Sequence, residues 1–336
     1  MTDLYDQMME RFLSPLSSLT RGVVDALYFV RRDGAFVFTE GYLHPAGGLM
    51  GKVMLFPDRA GEVDIFGRRF RSSYKRMKDG KIELIPHDEQ LQVQFEFTPS
   101  LSRGPRPVYE KYHVEFPRGD FIGVFEHRHS LSAARRTYAS LDRAIESLSR
   151  AFDVPVSRLG CTGSTCYGKY EEPGDDIDLV FSGTLDENAA TLRRIKELTR
   201  DPAKRVIEYG RLWPIRFYWD SIMICSFFNY GRDEDIPLKD CRMEVLEEKV
   251  RARGTVADDT HSIYMPSILT LSRLSVDGRK RADTDLIIYD GSLRGEYYRG
   301  DELEFEGSLV RVSTPRREYE AFLVTLRDQI ALRPGK

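Results

Sequence analysis

The chain has 336 residues, 41% of them hydrophobic and 31% charged, the balance of an ordinary soluble globular protein, and it is longer than one core of about 250–300 residues usually fills, so two or three domains are expected. No apolar run approaches the roughly 18 residues that span a bilayer, and the start MTDLYDQMMERFLSPL lacks the basic head and apolar centre of a secretory signal, which points to a cytoplasmic protein with no membrane partner. A formal net charge of −3 excludes a surface built throughout for nucleic acid but leaves room for a local basic patch.

Up to about residue 130 the pattern is mostly β. GAFVFTEGYLHP and LQVQFEFTP alternate apolar and polar residues, which is the strand period. Gly41, Gly47, Gly48, Gly51, Pro57 and Gly61 punctuate short elements between them. The segment GRRFRSSYKRMKDGK carries Arg68, Arg69, Arg71, Lys75, Arg76, Lys78 and Lys81 against one acid, Asp79. It reads either as a solvated strand and turn or as a phosphate-binding stripe with Phe70 and Tyr74 interleaved for stacking. His44 reads as a turn histidine, and His127 and His129 in FEHRHS as a solvated pair.

A helix follows. Ala134, Tyr138, Leu141, Ile145, Leu148 and Phe152 fall on one apolar face; Ser130 or Ser132 is placed to cap its start, and Pro155 lies beyond its end. After the stretch GCTGSTCYGKYEEPGDDIDLVFSG comes a second helix, opened by a capping box of Thr184 and Glu187 and closed at Pro202. IEYGRLWPIRFYWDSIMICSFFNY reads as two strands with a turn near Asp220, in which Trp213 and Trp219 pack the sheet, and GRDEDIPLKD as a polar linker. From residue 246 on, four strand-like runs with glycines at the bends suggest a small barrel. A closing helix is expected to carry Tyr319, Phe322, Leu326 and Ile330 on one face. Cys161, Cys166, Cys225 and Cys241 form no paired CxxC units and no histidine stands at a ligand spacing from them, so reduced thiols are expected rather than disulfides or zinc.

The chemistry concentrates between Gly160 and Gly183. Residues i and i+2 of a strand share a face, so Asp176 and Asp178 point together while Ile177, Leu179 and Phe181 point the other way. Two carboxylates so placed repel each other unless a cation joins them, and Mg²⁺ takes one or two carboxylates together with substrate phosphate oxygens. Gly163 and Ser164 open a short helix whose first N–H groups and hydroxyl form an anion site. Asp175 points away from the pair and reads as solvated. Lys169 reads as a surface lysine or as a cation reaching a triphosphate. No GxSxG elbow and no Walker-type GxxxxGK[ST] run is present, so neither serine-hydrolase nor P-loop chemistry has support.

These residues resemble a known signature. TGS, eleven residues, then DIDLVF is similar to the pattern of the DNA polymerase β-type nucleotidyltransferase superfamily. The wider stretch is similar to a mostly archaeal group of predicted, uncharacterised nucleotidyltransferases. GYLHPAGGLMGKVMLFPD and VADDTHSIYMPSILTL also resemble segments of that group. The resemblance implies that Gly163 and Ser164 hold the phosphates of an NTP. It implies that Asp176 and Asp178 bind Mg²⁺ or Mn²⁺, and that a third carboxylate on a neighbouring strand completes the site. Asp220 is the first candidate for that third position and Glu208 the second. The expected fold is α+β: a β-rich domain over 1–130, a nucleotidyltransferase core of small mixed sheet and helices over 131–245, and a small β-barrel, OB-like in one form, over 246–336. The expected function is metal-dependent transfer of a nucleoside monophosphate to a hydroxyl, with an RNA 3′ end ahead of a protein hydroxyl or a small molecule. The alternative is a nucleic-acid-binding protein with a vestigial core. The chain is too large and too β-rich for the enzyme half of a toxin–antitoxin pair.

Overall fold

The computed structural model describes residues 3–45, 47–78, 81–103, 107–109, 114–171, 175–208 and 210–333. The fold is mixed α and β, arranged around three large sheets and one hairpin. The N-terminal part begins with α1 (Leu4–Phe12), an amphipathic helix capped by the Asp3 side chain on the Asp6 N–H. Its strands are β1 (Tyr28–Arg31), β2 (Phe36–Phe38), β3 (Gly48–Pro57), β4 (Val63–Ile65), β5 (Arg68–Ser72), β6 (Lys75–Lys78) and β7 (Lys81–Leu84). Helix α2 (His87–Phe97) separates them from β8 (Val114–Pro117) and β9 (Phe121–Phe125). The sheet order is β4-β5-β3-β2-β1-β9, with β8 also on β3, while β6 and β7 pair separately.

Helix α2 corrects the reading of LQVQFEFTP as a strand. Asp88 and Glu89 lie in its first turn, where acids favour the helix N-terminus. Gln90 and Gln94 are buried on it at helical spacing, and the Gln94 side chain accepts the Val53 N–H at 3.0 Å. Two glutamines on the buried face hid the helical period.

The middle part holds α3 (His127–Thr137), α4 (Ala139–Phe152), β10 (Leu159–Cys161), α5 (Gly163–Cys166), β11 (Ile177–Gly183), α6 (Leu185–Leu198), β12 (Arg205–Glu208), β13 (Arg211–Trp219) and β14 (Ile222–Tyr230). Its sheet order is β10-β11-β14-β13-β12, with β11 and β14 parallel and the other pairs antiparallel. The one helix expected before Pro155 is two, because Tyr138 is extended and its hydroxyl donates to the Gly168 carbonyl at 2.6 Å. Glu126, not Ser130 or Ser132, caps α3, accepting the His129 N–H at 2.8 Å. The apolar face of α4 is as expected, and Phe152 stacks on Phe217 at 5.3 Å and meets Trp219 edge-on at 5.7 Å. The capping box at Thr184 and Glu187 is present at the start of α6.

The C-terminal part holds β15 (Arg242–His261), β16 (Ser267–Val276), β17 (Arg279–Lys280), β18 (Thr284–Ile288), β19 (Glu302–Ser313), β20 (Glu318–Val324) and β21 (Ile330–Leu332). The expected boundary at 245/246 therefore falls inside β15. Pairings run β15-β16-β18-β20-β19, and β19 pairs again with β15. The closing helix is corrected to strands. Phe322 and Val324 face one apolar cluster, Ala321 and Leu323 another. A strand buried on both faces shows a continuous apolar run, which periodicity does not separate from a helix.

The parts share interior. One cluster joins Tyr5, Phe12, Phe36 and Phe125 of the N-terminal part to Leu131, Tyr167, Leu179 and Phe217. Asp25 and Arg294, both buried, form an ion pair with Arg294 Nη2 3.0 Å from each carboxylate oxygen, and the guanidinium lies 5.1 Å over the Phe227 ring of β14. No helix among the described residues is long and apolar enough to cross a membrane.

Candidate metal and nucleotide site

Ladder register sets the site. Asp178 on β11 lies beside Cys225 on β14, and Cys225 beside Arg216 on β13. Laterally adjacent residues share a face of the sheet, so these three form a row on one side. Ile177, Ile224 and Phe217 form the neighbouring row on the other side and are buried against Phe152. Asp176, just ahead of β11, falls on the Asp178 side, as the alternation predicts.

The ligand atoms of Asp176, Asp178 and Cys225 all lie within 4.8 Å of one another. Among the described residues this is the one group of three or more His, Cys, Asp or Glu side chains gathered so closely. The Cys225 thiol donates to Asp176 Oδ2 at 3.3 Å. Both carboxylates are half-buried. Burial, and then the charge of Asp176, push the Asp178 carboxyl up to about 7, against the opposing pull of Arg216 and Lys75. Burial likewise holds the Cys225 thiol well above its ordinary range, with the Asp178 charge adding to it.

Gly163 sits against Asp178. It adopts φ +61°, where a Cβ is strained, and a Cβ built there would run into the Asp178 carboxylate. The Thr162 N–H donates to the Asp178 carbonyl at 2.9 Å, and its hydroxyl to the Ala26 carbonyl at 2.6 Å. The Thr162 hydroxyl is thus engaged elsewhere, and no side chain caps the start of α5. The glycine-serine bend and the two carboxylates therefore meet, as the sequence suggested.

Other expected residues stand apart. Asp220 occupies the turn between β13 and β14, with Asp220 at φ +46° and Ser221 at φ +69°. Two successive left-handed residues are the geometry of a tight hairpin turn, which Asp tolerates. Its side chain accepts from Ser147 of α4 at 3.3 Å and is not one of the gathered ligands. Glu208 is ion-paired with Arg216. Neither candidate for the third carboxylate therefore joins the pair, and the sheet position beside Asp178 holds Cys225. Lys169 turns from the site: its amine lies 3.4 Å from the Asp64 carbonyl and 3.8 Å from Glu171. Lys75 is the N-terminal lysine whose charge acts on Asp178.

The basic stripe is largely spent internally. Arg68 pairs with Asp3 and Asp6, Arg71 with Asp58, Arg76 with Glu83 and Glu89, and Lys78 with Glu83. Phe70 is buried, stacked on Tyr5, so it offers no face to a base. Tyr74 has Lys52 at 4.9 Å and Lys75 at 5.8 Å from its ring centre. Asp79 and the Lys81 side chain lie outside the described residues.

His127 is buried rather than solvated; its Nε2 lies 2.9 Å from the Ala26 carbonyl oxygen, and burial lowers its pKa. Trp213 is flanked by Arg211 and Arg216, each about 4 Å from its ring. All four cysteines are free, and the other three do not join Cys225 in a common ligand group.

Comparison with protein-family models, characterised proteins and solved structures returned no match.

Proposed function

We propose that the protein is a metal-dependent nucleotidyltransferase that moves a nucleoside monophosphate from an NTP to a hydroxyl acceptor. The observation that carries this reading is the meeting of Asp176 and Asp178 with the Gly163 bend, at a point too close for any side chain larger than hydrogen. Two carboxylates that share a face, with no ion pair to either among the described residues, suit one hard divalent ion, Mg²⁺ or Mn²⁺. When bound, such an ion would neutralise charge on the α-phosphate and favour loss of the acceptor proton.

The chain's own residues bind and orient. Gly163 lets the bend lie directly against the Asp178 carboxylate, and Ser164 offers a hydroxyl to a phosphate at that bend. Lys75 and Arg216 place positive charge near Asp178. The acceptor oxygen bonds to the α-phosphorus as the bond to the β-phosphate bridging oxygen breaks. Pyrophosphate leaves with the electron pair, and the acceptor proton passes to solvent.

Among acceptors an RNA 3′ end comes first. The C-terminal strands trace the circuit β15-β16-β18-β20-β19-β15, with β18 and β20 parallel, which supports an OB-like barrel. The groove on that part, about 450 Å³, is lined by Asp258, Asp283, Asp285 and Glu320 against Arg317. That charge disfavours phosphate there, so a strand end at Lys75 suits the surface better than a long duplex. A second reading, a nucleic-acid or nucleotide binder that no longer transfers, is favoured by one observation: among the described residues no third carboxylate joins Asp176 and Asp178.

The test is incubation of the protein with each labelled NTP, Mg²⁺ or Mn²⁺, and total RNA. Label transfer with pyrophosphate release supports the enzyme. Asp178→Asn should lower the rate by about a thousandfold, roughly 4 kcal/mol of transition-state stabilisation. Transfer in Asp178→Asn at the wild-type rate would refute the assignment. Salt-sensitive RNA retention without transfer would establish the binder.

A further inference from the structure

We propose that Cys225 is a third ligand of the Asp176–Asp178 ion and turns the site from magnesium toward a borderline, thiol-accepting divalent ion of the zinc and cobalt class. The inference rests on the reading of this pair as a metal site and goes beyond it by naming the donor set and hence the ion.

Three observations lead there. The two carboxylates and the thiol are gathered within 4.8 Å, and Sγ is 3.3 Å from Asp176 Oδ2. Metal–oxygen bonds of about 2.0–2.2 Å and a metal–sulfur bond of about 2.3 Å put neighbouring ligands roughly 3.5 Å apart around a tetrahedral ion, a spacing the group reaches with small side-chain adjustment. Second, Cys225 is buried on a strand paired on both sides, to β11 and to β13, so the sulfur is held in place. Third, the carboxylates that would complete an all-oxygen site are engaged elsewhere, Asp220 with Ser147 and Glu208 with Arg216. A mixed oxygen and sulfur set favours borderline ions over magnesium, which prefers oxygen and water. Ligation would replace the S–H bond with a sulfur–metal bond and release the proton to solvent, with no change of oxidation state. The competing account is that the thiol only donates a hydrogen bond to Asp176, with Arg216 and Lys75 as the pair's counter-charges.

Cobalt(II) distinguishes the two. Titration of the full-length, reduced protein should produce a near-ultraviolet thiolate-to-cobalt charge-transfer band together with visible ligand-field bands. Cys225→Ser keeps the size and the hydrogen bond. It should abolish the charge-transfer band, weaken Zn²⁺ binding by about tenfold or more and leave Mg²⁺ binding within about twofold. Asp178→Asn should lose the band as well, because the thiol alone does not hold the ion. Cobalt binding with ligand-field bands but no charge-transfer band would overturn the role of Cys225 and leave the carboxylate site standing. A band that persists in Cys225→Ser would assign the sulfur to another cysteine and overturn it too. No cobalt binding at all would refute both the thiol ligand and the metal site. Circular dichroism of Cys225→Ser, with Cys225→Ala beside it, separates loss of ligation from loss of fold.

Discussion

Asp178 shows how one residue's surroundings set its chemistry. An ordinary aspartate titrates near 3.8, but burial and the neighbouring Asp176 charge raise this one to about 7. A carboxyl raised in the fold contributes stability in its protonated form. That contribution is complete below about 3.8 and is lost as the pH rises through about 7. A divalent ion needs the deprotonated form, so proton and ion compete. Mn²⁺ affinity should fall about tenfold per pH unit below 7 and level off above it. Thermal shift with and without Mn²⁺ at pH 6 and pH 8 checks this. The stabilisation by Mn²⁺ should be larger at pH 8, and equal shifts would show that Asp178 is not a ligand. This pair was legible in the sequence because strand alternation alone places Asp176 and Asp178 on one face. Cys225 was not, because its place beside Asp178 depends on the register of two strands far apart in the chain. Asp220 misled for a different reason, because the expected turn itself holds it away from the pair. It follows β13 closely in sequence, but its backbone makes the hairpin turn and its side chain turns to Ser147.

The elements divide into those with local causes and those without. The Thr184 capping box and the apolar face of α4 follow from spacing within one segment, and both are present. Helix α2 and strand β20 were misread because tertiary burial overrode local pattern. Gln90 and Gln94 are polar yet buried, and β20 is apolar on both sides because two cores meet across it. The contact that matters most for the site is that of α4 with the sheet. Phe152 lies against Phe217 and Trp219, on the face opposite the carboxylates, and supports the strands that carry them. Phe152→Ala should cost about 3–5 kcal/mol by leaving a cavity there, measured by urea unfolding. A loss under about 1 kcal/mol would show that α4 does not support the sheet.

The whole molecule brings its three parts together at buried polar contacts. Asp25 from the N-terminal part, Arg294 from the C-terminal part and Phe227 of the middle sheet meet at one point. Burial pushes Asp25 up to about 6 even with Arg294 beside it, so near neutral pH the carboxylate depends on that arginine. Arg294→Met should destabilise the protein by about 3–5 kcal/mol, because it leaves a buried charge unpaired. Asp25→Asn in the same chain should recover part of the loss. If Arg294→Met were neutral in urea unfolding, the parts would be joined by apolar packing alone. No segment read by itself pairs Asp25 with Arg294, and Lys75, whose charge acts on Asp178, comes from a hairpin distant in sequence. The account rests on an ion between Asp176 and Asp178, facing Gly163. A crystal soaked with Mn²⁺ and a non-hydrolysable NTP tests that most directly. The predicted result is an anomalous manganese peak touching both carboxylates, with the triphosphate against Gly163 and Ser164. A nucleotide bound elsewhere, or carboxylates without a metal in the presence of excess Mn²⁺, would contradict it.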